Sequence, residues 1–189
     1  MTRMCGRRNV DTGLLVAVFM TLVALTLSLT AAFHCDFMRV KLNLDSIENL
    51  FQIDLYEGEG YQLGIFSRQD LRSSGDRSSC QIWNENDKDI FWDSPYKTAI
   101  SFAIISAVVG AGCLVALLCS MWCFDMARPS VRVVALLLIF VGICQGLVFV
   151  VFATDLCDVF NCHFSAMAGI NIAATLFWWI ASFFVFRSA

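Results

Sequence analysis

No aspartate, glutamate, lysine, arginine or histidine occurs within residues 14–32, 100–119, 133–153 or 166–186 of this chain. Ionisable side chains inside a membrane span are the working parts of proton relays, ion-coupled carriers and voltage sensors, so those classes are not expected. Intramembrane proteolysis, acyl transfer and haem ligation need Asp pairs, His or Ser–His sets facing a core. None is present, so the chain is expected to be no enzyme and to carry no cofactor. Proline is scarce, with Pro95 and Pro129 only. Both stand at the entrance of a helical stretch, where the missing N–H costs little. No Asn-x-Ser/Thr glycosylation signal occurs, and no basic tract offers itself to nucleic acid. The acidic cluster at residues 84–89 lacks the spacing and the glycine of an EF-hand, so it reads as a solvated loop rather than a calcium site.

What the chain does have is apolar length. Of 189 residues, 58 % are hydrophobic, and the mean hydropathy is +0.69, against roughly 45–50 % apolar content in soluble domains. Each of the four uncharged runs is close to the ~20 residues that carry a helix across a bilayer. In lipid the backbone must satisfy its own hydrogen bonds, so each run is predicted to be a helix. The fold class is therefore an integral membrane bundle of four transmembrane helices. The first outer loop supplies a small extracellular antiparallel β-sheet domain, and no room is left for a separate soluble catalytic domain.

Lys and Arg near the span ends set the orientation. Arg3, Arg7 and Arg8 precede the first span, Arg128 and Arg132 lie between the second and third, and Arg187 follows the fourth. Residues 33–97 instead hold twelve acidic and seven basic residues, and 154–163 hold Asp155 and Asp158 with no lysine or arginine. The expected organisation is a cytoplasmic N-terminus (1–13), TM1 (14–32), an extracellular β-rich loop (33–97) and TM2 (98–120). A cytoplasmic turn (121–132), TM3 (133–153), a short outer loop (154–163), TM4 (164–186) and a cytoplasmic C-terminus (187–189) follow. This is a multi-pass protein, expected in the plasma membrane. Arg7-Arg8, the apolar run and Thr30-Ala31-Ala32 also match a secretory signal. The run exceeds the roughly 7–15 residues of a signal core, so a retained helix is expected. Cleavage would leave three spans with the same sidedness.

The nine cysteines sort by compartment. Cys35, Cys80, Cys157 and Cys162 fall outside, an even number where disulfides form. Three pairings are possible. Cys35–Cys80 and Cys157–Cys162 are favoured, and the alternatives tie the two loops together. Cys113 and Cys144 lie mid-span as small packing residues. Cys5, Cys119 and Cys123 lie at the cytoplasmic face, where thiols are candidates for palmitoylation. Zinc on the outer His-Cys neighbours (His34 with Cys35, Cys162 with His163) would require reduced thiols, so no metal is expected.

Within the large loop, Met38, Val40, Leu42 and Leu44 alternate with polar residues, the period of a half-buried strand. Phe51, Ile53 and Leu55, a turn at 57–60, and Tyr61, Leu63 and Ile65 predict a hairpin. Residues 67–79 read as a mobile loop, and Cys80-Gln81-Ile82-Trp83 as a short last strand. Ile90, Phe91 and Trp92 precede the second span. They read as headgroup-level anchors or, with Phe66, as a partner surface. Asp93 or Ser94 is expected to cap the following helix.

Small residues at helical spacing predict close helix contact. Ser106 and Gly110 stand in the second span, Gly142 and Gly146 in the third, and Gly169 in the fourth. Gln145 and Asn171 fall at similar depth and are expected to face the interior, where they can bond each other. Trp178-Trp179 near the inner end of the fourth span reads as an aromatic belt.

The order of short basic N-terminus, span, large cysteine-containing β-rich loop, span, short turn, span, short loop, span resembles the claudin-like tetraspan superfamily. That group includes claudins, relatives of peripheral myelin protein 22 and channel gamma subunits. Gly64-Ile65-Phe66 stands where claudins carry Gly-Leu-Trp, with Cys80 downstream. The second nearby cysteine of that motif is absent, and Cys35 ends the first span instead. The resemblance implies a non-enzymatic structural protein in the lipid bilayer, self-associating as a homo-oligomer or meeting an opposed surface. An auxiliary subunit of a larger membrane-protein partner, and then a homo-oligomeric pore, are the alternatives. No nucleic acid partner is implied.

Overall fold

The computed structural model describes residues 12–40, 61–69, 80–84, 88, 92–122, 128–160 and 162–188. Within these, α1 (Thr12–Phe33), α2 (Ser94–Trp122), α3 (Arg128–Leu147) and α5 (Ala166–Arg187) are the long helices. The third continues beyond Leu147 as a 3₁₀ segment, Val148–Ala153, followed by the short helix α4 (Asp155–Phe160). Counting that continuation, the four apolar helices run 22 to 28 residues, long and apolar enough to cross a membrane. This is the mark of a multi-pass membrane protein.

The buried hydroxyls of α1 do not break it, because each returns to the preceding turn. Thr21 donates to the Ala17 carbonyl at 2.7 Å and Ser28 to that of Ala24 at 2.8 Å. At the start of α2, Asp93 Oδ1 accepts the Tyr96 N–H at 2.9 Å, which makes Asp93 the N-cap and places Pro95 in the first turn.

The chain divides into two compact units. The helical unit comprises Met1–Leu29, Phe102–Leu147 and Asn171–Ala189, and the sheet unit comprises Thr30–Ser101 and Val148–Ile170. The core of the helical unit draws on all four long helices, with Ala24, Leu117, Leu138, Val141, Trp178 and Val185 buried together.

The sheet unit holds β1 (Met38–Val40), β2 (Tyr61–Leu63), β3 (Ser67–Gln69), β4 (Cys80–Ile82) and β5 (Cys162–Phe164), in the order β4-β3-β2-β1-β5. Every pairing is antiparallel, with Met38 opposite both Leu63 and Phe164. The period of two holds in β1, where Met38 and Val40 are buried and Arg39 is exposed. In the second predicted run, Leu63 and Ile65 are buried. Leu42 and Leu44 of the first run, and the predicted strand at 51–55 with its turn at 57–60, lie outside the described residues.

One loop differs from expectation. Residues 67–69, expected to be part of a mobile loop, form β3. Ser67 is buried there and donates to the Phe33 carbonyl at 2.7 Å, so a polar residue is held by a backbone group that local sequence does not reveal. The short segment after the third span contains a helix and a strand. Its strand β5 completes the sheet against β1, a pairing between residues more than a hundred positions apart.

Candidate functional site

The sheet unit is built around Gly64. A Cβ there would lie 2.1 Å from the His34 carbonyl oxygen, so only glycine lets β2 approach the end of α1 this closely. The Gly64 carbonyl accepts the Tyr96 hydroxyl and, at 3.4 Å, the Trp83 indole N–H. Tyr96 and Trp83 meet edge to face at 5.9 Å, both buried. Burial of two large rings is safe here because each polar end has a partner. Ile65 next to Gly64 is buried, while Phe66 is half-buried. The Phe66 N–H donates to Ala32 at 3.2 Å and its ring sits 5.3 Å from Phe33.

Two disulfides brace this unit. Cys35 is bonded to Cys80, with Cα atoms 5.6 Å apart, and Cys157 to Cys162, with Cα atoms 4.9 Å apart. The first fastens β4 to the residues that follow α1. The second closes α4 onto β5. Asp36 adds a polar tie, because Ser165 donates to its Oδ1 at 2.5 Å and Arg39 Nε lies 3.1 Å from the same oxygen.

Each edge strand exposes one large apolar side chain beside a polar one, Gln81 on β4 and His163 on β5. Ile82 on β4 is 78 % exposed and Phe164 on β5 is 67 % exposed. Phe164 lies tilted against Phe152 at 4.4 Å and 5.8 Å from Phe149, so its ring is held rather than loose. Of the expected partner surface, Trp92 packs parallel to Tyr96 at 6.2 Å beneath Lys88, whose Nζ lies 5.3 Å from the Trp92 ring. Trp92 is thus partly sequestered in an aromatic column, while Ile90 and Phe91 lie outside the described residues.

In the helical unit, Ser106, Gln145 and Asn171 form a connected polar set. Ser106 donates to Gln145 Oε1 at 2.7 Å, Gln145 Nε2 donates to Asn171 Oδ1, and Asn171 Nδ2 donates to the Gln145 carbonyl at 3.1 Å. All three side chains are buried. A reading of Trp178-Trp179 as an aromatic belt fails for Trp178, which is fully buried. Its indole N–H donates to Ser28 at 3.2 Å, and its ring fills the space left by the missing side chain of Gly110. Nothing in the local sequence marks this, because a belt tryptophan and a core tryptophan near a helix end look alike.

The small residues are not equivalent. A Cβ on Gly110 would lie 2.6 Å from Trp178, and one on Gly142 would lie 2.4 Å from Trp179. Gly146 and Gly169 face open space, so neither is a point of close contact within one copy. Cys113 and Cys144 are buried and Cys119 is exposed. Cys5 and Cys123 lie outside the described residues.

Among the described residues, the group able to hold a metal ion is His34, Cys35 and Cys80, with ligand atoms within 4.8 Å of one another. Its two sulfurs are bonded to each other. No protein-family model matches the chain, and no curated protein matches it.

Proposed function

We propose that this chain is a non-enzymatic, claudin-like structural protein of the plasma membrane, with both termini cytoplasmic. In this reading it associates laterally or with an opposed surface through its disulfide-braced sheet. The supporting observation is the pair of strands that edge the sheet among the described residues, each presenting an exposed apolar residue, Ile82 on β4 and Phe164 on β5. Open edges carry unpaired backbone groups and are usually protected by Lys, Pro or bulges. Cys80-Gln81-Ile82 has no lysine and no proline. Gly64-Ile65-Phe66, the residues that carry the claudin-like resemblance, pack on the end of α1 through Phe66. The pore alternative loses ground, because Gln145 and Asn171, the polar side chains it would need, bond each other.

The mass and composition of the native particle, purified in mild detergent without reductant, test this. A homo-oligomer that dissociates on Ile82→Asp is expected. A strict monomer in detergent and in native membranes rejects the reading. A stoichiometric larger membrane protein replaces it with the auxiliary-subunit alternative.

A further inference from the structure

We propose that His34, Cys35 and Cys80 form a redox-gated site for a zinc-class divalent cation, closed while the Cys35–Cys80 disulfide stands and opened by its reduction. The inference is independent of the role proposed above. Two thiolates and an imidazole are the donor types that zinc prefers. Here all three ligand atoms already lie within 4.8 Å of one another. A tetrahedral zinc ion with bonds of about 2.3 Å to sulfur and about 2.0 Å to nitrogen holds its ligand atoms roughly 3.5–3.8 Å apart. Once the S–S bond is cut, the sulfurs need to part by less than about 2 Å to reach that spacing.

The surroundings hold the donors in place after reduction. The His34 amide donates to the Thr30 carbonyl at 3.2 Å, continuing the last turn of α1, and the His34 carbonyl lies against Gly64. Cys80 is held in β4 opposite Gln69. The Cys35 amide points at Cys80 Sγ at 3.2 Å, a donor that favours thiolate sulfur there. His34 Nδ1 accepts only a long bond, 3.3 Å, from the Asp36 amide, a contact it can exchange for a cation. His34 and Cys80 are exposed, so small thiols and aqueous metal both have access.

The chemistry balances with a low-molecular-weight thiol as reductant. Two RSH convert the cystine to two cysteine thiols and leave as RSSR. The cation then displaces both thiol protons to water and binds two thiolates and the imidazole, with water at the fourth position. The metal thereby restores the tie between β4 and the end of α1 that reduction removed.

The test uses the full-length protein in detergent, reduced with a phosphine, with Co²⁺ as spectroscopic probe and Zn²⁺ as competitor. Thiolate-to-cobalt absorption is expected in the reduced protein, absent from the oxidised one, and abolished by Zn²⁺. Zn²⁺ should also shield Cys35 and Cys80 from maleimide, as mapped by mass spectrometry, while reduced Cys157 and Cys162 stay reactive. His34→Ala leaves the disulfide intact and should weaken cobalt binding by roughly tenfold or more, since even outer-shell partners of a metal ligand are worth about 10–100-fold. Absence of cobalt–thiolate absorption, shielding of Cys157 and Cys162 instead, or undiminished binding in His34→Ala overturns the proposal.

Discussion

The Asp155 amide donates to Asp93 Oδ2 at 3.0 Å while Asp93 Oδ1 caps Tyr96 at 2.9 Å, so one carboxylate serves the first turns of α2 and α4 together. A carboxylate is suited to this, because helix N-termini leave amides unsatisfied and favour negative charge. Asp93→Ala is expected to lower stability by about 1–2 kcal/mol, the sum of a lost cap and one partly exposed hydrogen bond. Asp93→Asn, which keeps an oxygen for only one of the two amides, should fall between. Thermal unfolding in detergent reads both.

The two disulfides should differ in weight. In the chain-entropy account, stabilisation grows with the logarithm of the loop closed. With sequence separations of 45 and 5, Cys35–Cys80 should contribute about 4 kcal/mol and Cys157–Cys162 about 2 kcal/mol. Paired Ser substitutions compared by unfolding midpoint test the ranking. Equal effects would show that local packing, not loop closure, dominates.

Gln145 and Asn171 should be energetically coupled. In a double-mutant cycle with Ala at each site, the coupling is expected near 0.6 kcal/mol and no more than about 2 kcal/mol, the range for side-chain bonds between membrane helices. Each single variant should cost more than the coupling, since the partner is left buried and partly unpaired. Additive single effects would mean that the contact carries no weight.

Glycine substitutions separate close contact from mere small size. Gly110→Val forces a side chain into the Trp178 ring and should destabilise the helical unit by about 1–3 kcal/mol or more. Gly146→Ala and Gly169→Ala meet open space and should be neutral or slightly stabilising, because alanine is the better helix former. Unfolding in mixed detergent distinguishes them.

Gly64 tolerates no side chain at all. Gly64→Ala places a methyl group 2.1 Å from a backbone oxygen that cannot rotate away. The expected outcome is loss of the native sheet unit, read as non-native or absent Cys35–Cys80 pairing in unreduced peptide maps. Correct pairing at wild-type yield would show that α1 and β2 can separate at no cost.

Hydropathy alone was enough to locate the four long helices, because lipid leaves an uncharged run of that length no alternative to an internally bonded helix. The alternation of Met38, Arg39 and Val40 likewise announced a strand with one buried face. The favoured pairing of cysteines rested on loop membership, and the disulfides join Cys35 to Cys80 and Cys157 to Cys162. Beyond that point the deciding contacts are distant in the chain. The polar stretch at Ser67 became a strand because the Phe33 carbonyl takes its hydroxyl. The segment around Cys162 became β5 because β1 had a free edge beside it. Trp178 entered the core because Gly110 left room for its ring and Ser28 met its N–H. Local pattern reports which face of an element avoids water. Which partner covers that face depends on shape and hydrogen-bond complementarity between residues that only the folded chain brings together.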